Sequence, residues 1–237
     1  MTSAIIVAAG SSRRMGFDKM FAPLAGKPVL WHSIKAFHDT REISSIVVVA
    51  HQDRVAETQA LIAGSKFTKV LEVVAGGSER HLSVWEGLQA ISARECELVA
   101  IHDGARPLTT PALIRSCIEA AREHGAACCA SPVPDTVKRA STDQVVEESI
   151  ERTGLWAMQT PQIFASGLIL QAYAALMARN EMVTDEVGAV QKLGKRIFLL
   201  RNDEWNFKIT FPRDLELAEH VLSLRAKKTS ARKHHTA

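Results

Sequence analysis

Cysteine is scarce in this chain: Cys96, Cys117, Cys128 and Cys129 are the only four among 237 residues, and none shares a CxxC spacing with another. That usage gives neither a disulfide framework nor a cysteine-ligated zinc site, and the adjacent pair inside "AACCAS" reads as small apolar residues of a buried strand. A reducing, cytoplasmic setting is expected. No apolar run reaches the ~20 residues of a membrane span. The N-terminus enters "AIIVAAG" without a basic region or cleavage site, so an unprocessed, soluble chain with no membrane partner is expected. Four catalytic signatures are also missing. Gly26-Lys27 is followed by Pro28 and Gly194-Lys195 by Arg196, so neither gives a Walker loop, and GxGxxG, GxSxG and HExxH do not occur, which excludes the familiar dinucleotide, serine-hydrolase and zinc-peptidase arrangements. Aromatics are 5% of the chain, and Trp31, Trp85 and Trp156 read as packing residues rather than stacking platforms. Charge of one sign is not in strong excess either, with a net of +3. Much of that surplus lies in "RAKKTSARKHHTA" from Arg225 onward, which predicts a basic, disordered tail over 225–237 and no nucleic-acid partner.

What the chain does have is length and apolar content, 46% of it hydrophobic, enough for one large α/β domain over 1–224. The runs "AIIVAA", "SIVVVA", "KVLEVV", "ELVAI" and "AACCAS" are nearly all apolar, as strands covered on both faces must be. Stretches of helical period lie between them, so a largely parallel sheet flanked by helices is predicted. In "PVLWHSIKAFHD", Leu30, Ile34 and Phe37 share a face. "TPALIRSCIEAAREHG" has Thr110 as N-cap, Pro111 in the first turn and Gly125 as the stop. "GLILQAYAALMARN" and "RDLELAEHVLSL" predict later helices. "DTVKRASTDQVVEESIERTG" is polar and alternates on both sides of a turn, so a hairpin arm projecting at about 134–158 is predicted.

In a parallel sheet ligands bind beyond the carboxyl ends of the strands, so the loops there matter most. After the first strand, "GSSRRMGFDKM" offers Gly10 and small serines through which backbone N–H groups can approach an anion, followed by Arg13, Arg14 and Lys19. Taken alone it is equally a solvated basic turn. After the fourth strand, "HDGARP" sets Asp103 where a carboxylate could hold Mg²⁺ bridging phosphate oxygens; as a helix cap or a partner for Arg106 it would have a plainer role. In "AGGSERHLS", Gly76 and Gly77 make a tight turn that can read a base, with Ser83 adding a hydroxyl, or a plain turn.

Seven motifs in order, "AAGSSRRMGFDK", "GGSERHLSVWEGL", "HDGARP", "PVPDTVKR", "RTGLWAMQTPQIF", "TDE" and "FKITFPRDLELAE", resemble the 2-C-methyl-D-erythritol 4-phosphate cytidylyltransferases over roughly residues 4 to 222. The resemblance implies a Rossmann-like nucleotidyltransferase fold and a homodimer joined by exchanged β-arms. It also implies CTP and a polyol phosphate as substrates, with a divalent cation, Mg²⁺, as cofactor. Carried over by position, Arg14, Lys19 and Lys208 would act on the reacting phosphates, and Ala8, Ala9, Gly10, Gly77, Ser83, Asp103 and Arg106 would bind the nucleotide, Asp103 also the metal. Thr136, Arg152, Thr160 and Thr184 would bind the acceptor, those of the arm in the partner's site. Val7, Ser12, Met20 and Ser78 depart from the family's usual residues. Two other readings fit the motifs: a ribitol-5-phosphate cytidylyltransferase, and a non-catalytic nucleotide-binding module of the same fold.

Overall fold

A strand buried on both faces needs apolar side chains at every position, and Thr2–Ala8 (β1) meets that condition, with all seven residues buried. Successive residues point to opposite faces. Ala4, Ile6 and Ala8 enter one core, while Ile5 and Val7 enter the other. Around this strand the computed structural model, which describes residues 1–11, 15–92 and 96–234 and only the backbone of 92 and 229–234, builds a three-layer α/β domain.

After β1 come Pro23–Leu24 (β2), Lys27–Pro28 (β3), Val29–Asp39 (α1), Ile43–Ala50 (β4), Val55–Ser65 (α2), Val70–Ala75 (β5), Arg80–Ser92 (α3), Leu98–Asp103 (β6) and Pro111–His124 (α4). The second half runs through Ala126–Pro132 (β7), Val137–Ala140 (β8), Val146–Ile150 (β9), Trp156–Ala165 (β10), Ser166–Arg179 (α5), Glu186–Gln191 (α6), Phe198–Arg201 (β11) and Arg213–His234 (α7). The seven-stranded sheet has the order β11-β7-β10-β6-β1-β4-β5. All its neighbours pair parallel except β10, which is antiparallel to both β6 and β7. Helices α1, α4 and α7 cover one face through Leu30, Ile34, Phe37, Ile114, Ile118 and Val221. Helices α3, α5 and α6 cover the other through Val84, Leu88, Tyr173, Leu176 and Val190.

The five apolar runs form β1, β4, β5, β6 and β7, but β5 is the edge strand and none of its residues is buried, so the expected cover on both faces fails there. Helix α4 begins and ends as its sequence predicts: the Thr110 hydroxyl accepts from Leu113 N at 3.2 Å, and Gly125 closes it at φ +77°. The polar stretch does form a two-stranded hairpin, β8 with β9. Two strands carry no signal that a scan for apolar runs detects. β10 contains Pro161 and buried Thr160 and Gln162, and β11 has four residues. The stretch from Arg225 also differs from expectation, because α7 carries on through it to His234. Its beginning is anchored: the Arg225 guanidinium donates to Leu108 O at 2.6 Å and Trp205 O at 3.2 Å.

Register places the site. Val7 is level with Asp103, Ala8 with Ala50, and Ala50 with Ala75. The loops after β1, β4, β5 and β6 therefore leave the sheet at one rim. Among the described residues no helix is long and apolar enough to cross a membrane.

Candidate active site

A cleft of ≈ 550 Å³ opens at that rim. Ala9, Gly10 and Lys19 reach it from the loop after β1, Gly77, Arg80 and Ser83 from the turn after β5 and the first turns of α3, Asp103 from the end of β6, and Lys208 from the segment before α7. A neighbouring cavity of ≈ 570 Å³ lies beyond the β1 loop and includes Ala8, Asp18, His51 and Arg54. The clustered carboxylate and cations all line the first cleft.

The turn after β5 is pressed against the β1 loop. A Cβ built on Gly76 would lie 2.4 Å from the Ala9 Cβ and 2.7 Å from the Ser83 Oγ, so only glycine lets the two loops approach this closely. Ser83 Oγ in turn donates to Glu79 O at 3.1 Å, tying the first turn of α3 together.

Asp103 is the centre of charge. Arg80 Nε donates to its Oδ1 at 3.1 Å, and Lys208 Nζ to its Oδ2 at 3.0 Å. Arg106 Nε lies 3.6 Å from Oδ2. Burial pushes the Asp103 carboxyl up, but Arg80, Lys208 and Arg106 outweigh it and hold the group far below the usual carboxylate range. Its backbone is fixed as well, since Asp103 N donates to Thr160 Oγ1 at 3.1 Å. The neighbouring His102 has its Nε2 3.3 Å from Arg106 O and its Nδ1 2.9 Å from the Thr160 hydroxyl. A carbonyl only accepts, so Nε2 carries the proton and Nδ1 accepts from Thr160. Burial lowers the pKa of this imidazole to about 3, which matches the neutral tautomer.

Lys19 is buried, and its Nζ donates to Ile209 O at 3.0 Å. Ile209 N donates to Ala105 O at 2.8 Å, which docks the segment carrying Lys208 onto the β6–α4 loop. Arg106 serves the same docking: its guanidinium donates to Asn206 O at 2.7 Å and Met158 O at 3.3 Å. It is not among the residues lining the cleft.

The structure thus brings together Ala9, Gly10, Lys19, Gly77, Ser83, Asp103 and Lys208, with Ala8 at the adjoining wall. Arg14, with Ser12 and Arg13, lies outside the described residues. Thr160 is buried with its hydroxyl engaged by His102 and Asp103, so it acts on the site through Asp103. Thr136 and Arg152 stand on the exposed hairpin arm, where Arg152 donates to Pro134 O, and Thr184 is exposed before α6; none of the three lines the cleft. Motif reading gave no role to Arg80 or Glu186. Arg80 stands inside the quoted "AGGSERHLS" and Glu186 ends "TDE", but their pairing spans 106 residues and is invisible to local spacing.

A divalent cation has Asp103 to meet here, and the exposed Glu79 also lines the cleft. Among the described residues no group of three histidine, cysteine or acidic side chains is placed to hold a metal. Magnesium is commonly bound by one or two carboxylates with substrate phosphates and water completing its shell, and Asp103 at the cleft fits that role with a triphosphate but not without one.

The family model for 2-C-methyl-D-erythritol 4-phosphate cytidylyltransferase matches residues 2–224. A protein of that name from Caldanaerobacter subterraneus subsp. tengcongensis is 40% identical over 93% of this chain and 98% of its own. One from Dehalococcoides mccartyi is 41% identical over 92% and 95%. Among solved structures, 4-diphosphocytidyl-2C-methyl-D-erythritol synthase from Anaerococcus prevotii superposes with a TM-score of 0.81 at 30% identity, covering 94% of this chain and 98% of that one.

Proposed function

The chain belongs to the 2-C-methyl-D-erythritol 4-phosphate cytidylyltransferase family, and from that premise we propose that its rim cleft binds CTP and transfers CMP to 2-C-methyl-D-erythritol 4-phosphate, releasing pyrophosphate. The observation that carries this is the convergence of Lys19, Arg80, Asp103 and Lys208 with two glycine turns from separate strand ends. An anionic acceptor must approach an anionic triphosphate, so the chemistry asks for positioning and charge neutralisation more than for a nucleophile or base.

In this reading the acceptor's phosphate oxygen attacks the α-phosphorus in line and pyrophosphate leaves from the opposite side. Lys19 and Lys208 stabilise the charge that grows on the transferring phosphoryl group. Arg14 is proposed for the same task. The turn at Gly76 and Gly77, with Ser83, presents backbone groups to the cytosine, while Ala8, Ala9 and Gly10 bring backbone N–H groups toward the phosphates. Asp103 would hold Mg²⁺, which when bound neutralises and folds the triphosphate. The phosphate monoester is already largely ionised at neutral pH, so no general base is needed.

We further propose that the protein is a homodimer in the cytoplasm whose arms exchange, with Thr136 and Arg152 completing the acceptor pocket of the partner. That neither lines the cleft of its own chain supports this. Pyrophosphate release measured with each of four nucleoside triphosphates, against 2-C-methyl-D-erythritol 4-phosphate and ribitol 5-phosphate, with and without MgCl₂, tests the function. Release only with CTP, the methylerythritol phosphate and magnesium is expected. Preference for ribitol phosphate would reassign the acceptor, and binding of CTP without any release would make the chain a binding module.

A further inference from the structure

Asp103 has two oxygens in different surroundings. Oδ2 meets the Lys208 ammonium, on a long flexible stem that is 36% exposed. Oδ1 meets Arg80 Nε, and that guanidinium is held in place. Its Nη1 donates to Glu186 Oε1 at 2.6 Å and its Nη2 to Glu186 Oε2 at 3.0 Å, a two-pronged pair in which the planar fork leaves Nε a single direction. Glu186 is fully buried at the start of α6 and also accepts from the Tyr173 hydroxyl at 3.1 Å. The carboxylate of Asp185 caps α6 by accepting from Gly188 N at 2.9 Å. A rigid run of contacts therefore leads from α5 and α6 through Glu186 and Arg80 to one oxygen of Asp103.

Placing a buried carboxylate against an arginine is costly to desolvate, and apolar residues of like volume often hold two helices together as well. What apolar packing cannot do is set the rotation of a second carboxylate. We propose that Arg80, fixed by Glu186, is a positioning residue that holds Oδ1 of Asp103 and so sets the rotation of the carboxylate, with Oδ2 on Lys208 and 3.6 Å from Arg106 Nε, for the cation-bearing triphosphate. Arg80 acts through Asp103, and Glu186 acts through Arg80. This rests on the cytidylyl-transfer reading.

The test uses the full-length protein and the variants Arg80→Met, Arg80→Met/Glu186→Gln, Arg80→Lys and Asp103→Asn. Arg80→Met alone leaves Glu186 buried without its partner and is expected to lower the melting temperature. The double variant neutralises the pair while keeping an acceptor for Tyr173, so its melting temperature is expected to return toward that of the unaltered protein. Its kcat is nonetheless expected to stay about 10- to 100-fold down, the usual cost of losing a residue that orients a ligand. Arg80→Lys keeps the charge but not the fork and is expected to stay impaired. In the Asp103→Asn background, adding Arg80→Met is expected to change kcat by less than about threefold, because residues acting as one unit are not additive. Mn²⁺ binding in the presence of CTP, followed by electron paramagnetic resonance, supplies a readout apart from turnover, and weaker binding by the double variant is expected.

Wild-type kcat and Mn²⁺ binding in the double variant would overturn the proposal and leave the pair as helix glue. Full multiplication of the Arg80→Met and Asp103→Asn effects would overturn it too, making Arg80 a direct substrate contact. Failure of the unaltered protein to release pyrophosphate would count against the functional reading instead, and the Mn²⁺ comparison would still decide the role of Arg80.

Discussion

The cleft and the hairpin arm carry the same kinds of side chain in opposite physical states. At the cleft, Asp103 is reached by cations from α3, from its own loop and from the segment before α7, the last 105 residues away in sequence. In the arm, Arg139 pairs with Glu148 directly across the hairpin at 3.0 Å, both side chains more than half exposed. Lys138 meets Ser149, again across the strands. Exposed pairs of that kind contribute about 0–1 kcal/mol, and a lone two-stranded ribbon is marginal in water. The contrast teaches that one chain pre-organises its cleft by long-range burial, whereas the charges of its arm stay exposed to solvent.

The most severe test concerns the cleft floor. Burial keeps His102 neutral with a pKa of about 3 against 6.5 unfolded, so between those values the unfolded chain binds a proton that the folded chain refuses. Stability is fully present above pH 6.5 and falls as pH drops toward 3, at about 1.4 kcal/mol per unit, roughly 5 kcal/mol in all. Urea titrations across that range should show a shallower fall for His102→Gln. An equal slope would mean that the floor does not depend on the buried imidazole.

Lys208→Met is expected to lower kcat about 10²- to 10³-fold, as when one donor to developing charge is lost, with folding retained because the side chain is partly exposed. The same range is expected for Lys19→Met. Steady-state pyrophosphate release measures both, and near-normal turnover in either would remove that lysine from the chemistry.

Gly76→Ala sharpens the comparison at the nucleotide end. The added methyl would overlap Ala9 and Ser83. Overpacking of this order costs about 1–3 kcal/mol, so KM for CTP should rise by roughly tenfold while kcat changes less. A KM equal to that of the parent would show that the two loops separate freely.

The smallest effect on folding is expected at the arm. Arg152→Ala should shift stability by less than about 0.5 kcal/mol yet impair turnover through the acceptor site. Mixing it with Lys208→Met should restore activity that neither variant has, because a mixed dimer with exchanged arms owns one intact site. Absence of recovery after subunit exchange would break the claim that the arms serve the partner.

Much of this architecture is legible in the chain. The apolar runs of β1, β4, β6 and β7 are strands packed between helices, and Thr110, Pro111 and Gly125 bound α4 because capping is a local matter of backbone donors and φ. The loops after the apolar strands are chemical candidates for the same reason, and Asp103, Lys19, Gly77 and Ser83 do meet in one cleft. Strand β10 escapes such a reading because its buried polar residues are satisfied by distant partners: Gln159 by Asn202 and Asn206, Gln162 by Asp185. Arg106, which the family resemblance sets beside the nucleotide, likewise finds distant partners in the carbonyls of Asn206 and Met158.

By itself the sequence determined the five apolar strands, the helical stretches between them, the rim at which their loops emerge and the motifs of a cytidylyltransferase, since periodicity, capping and glycine turns act over a few residues. Only the tertiary structure decided that Glu186 fixes Arg80 against Asp103 and that Thr160 is buried beneath it. Those placements depend on which buried charges and hydroxyls find partners about 60 to 100 residues away, and a buried polar group without a partner is too costly to leave to local preference.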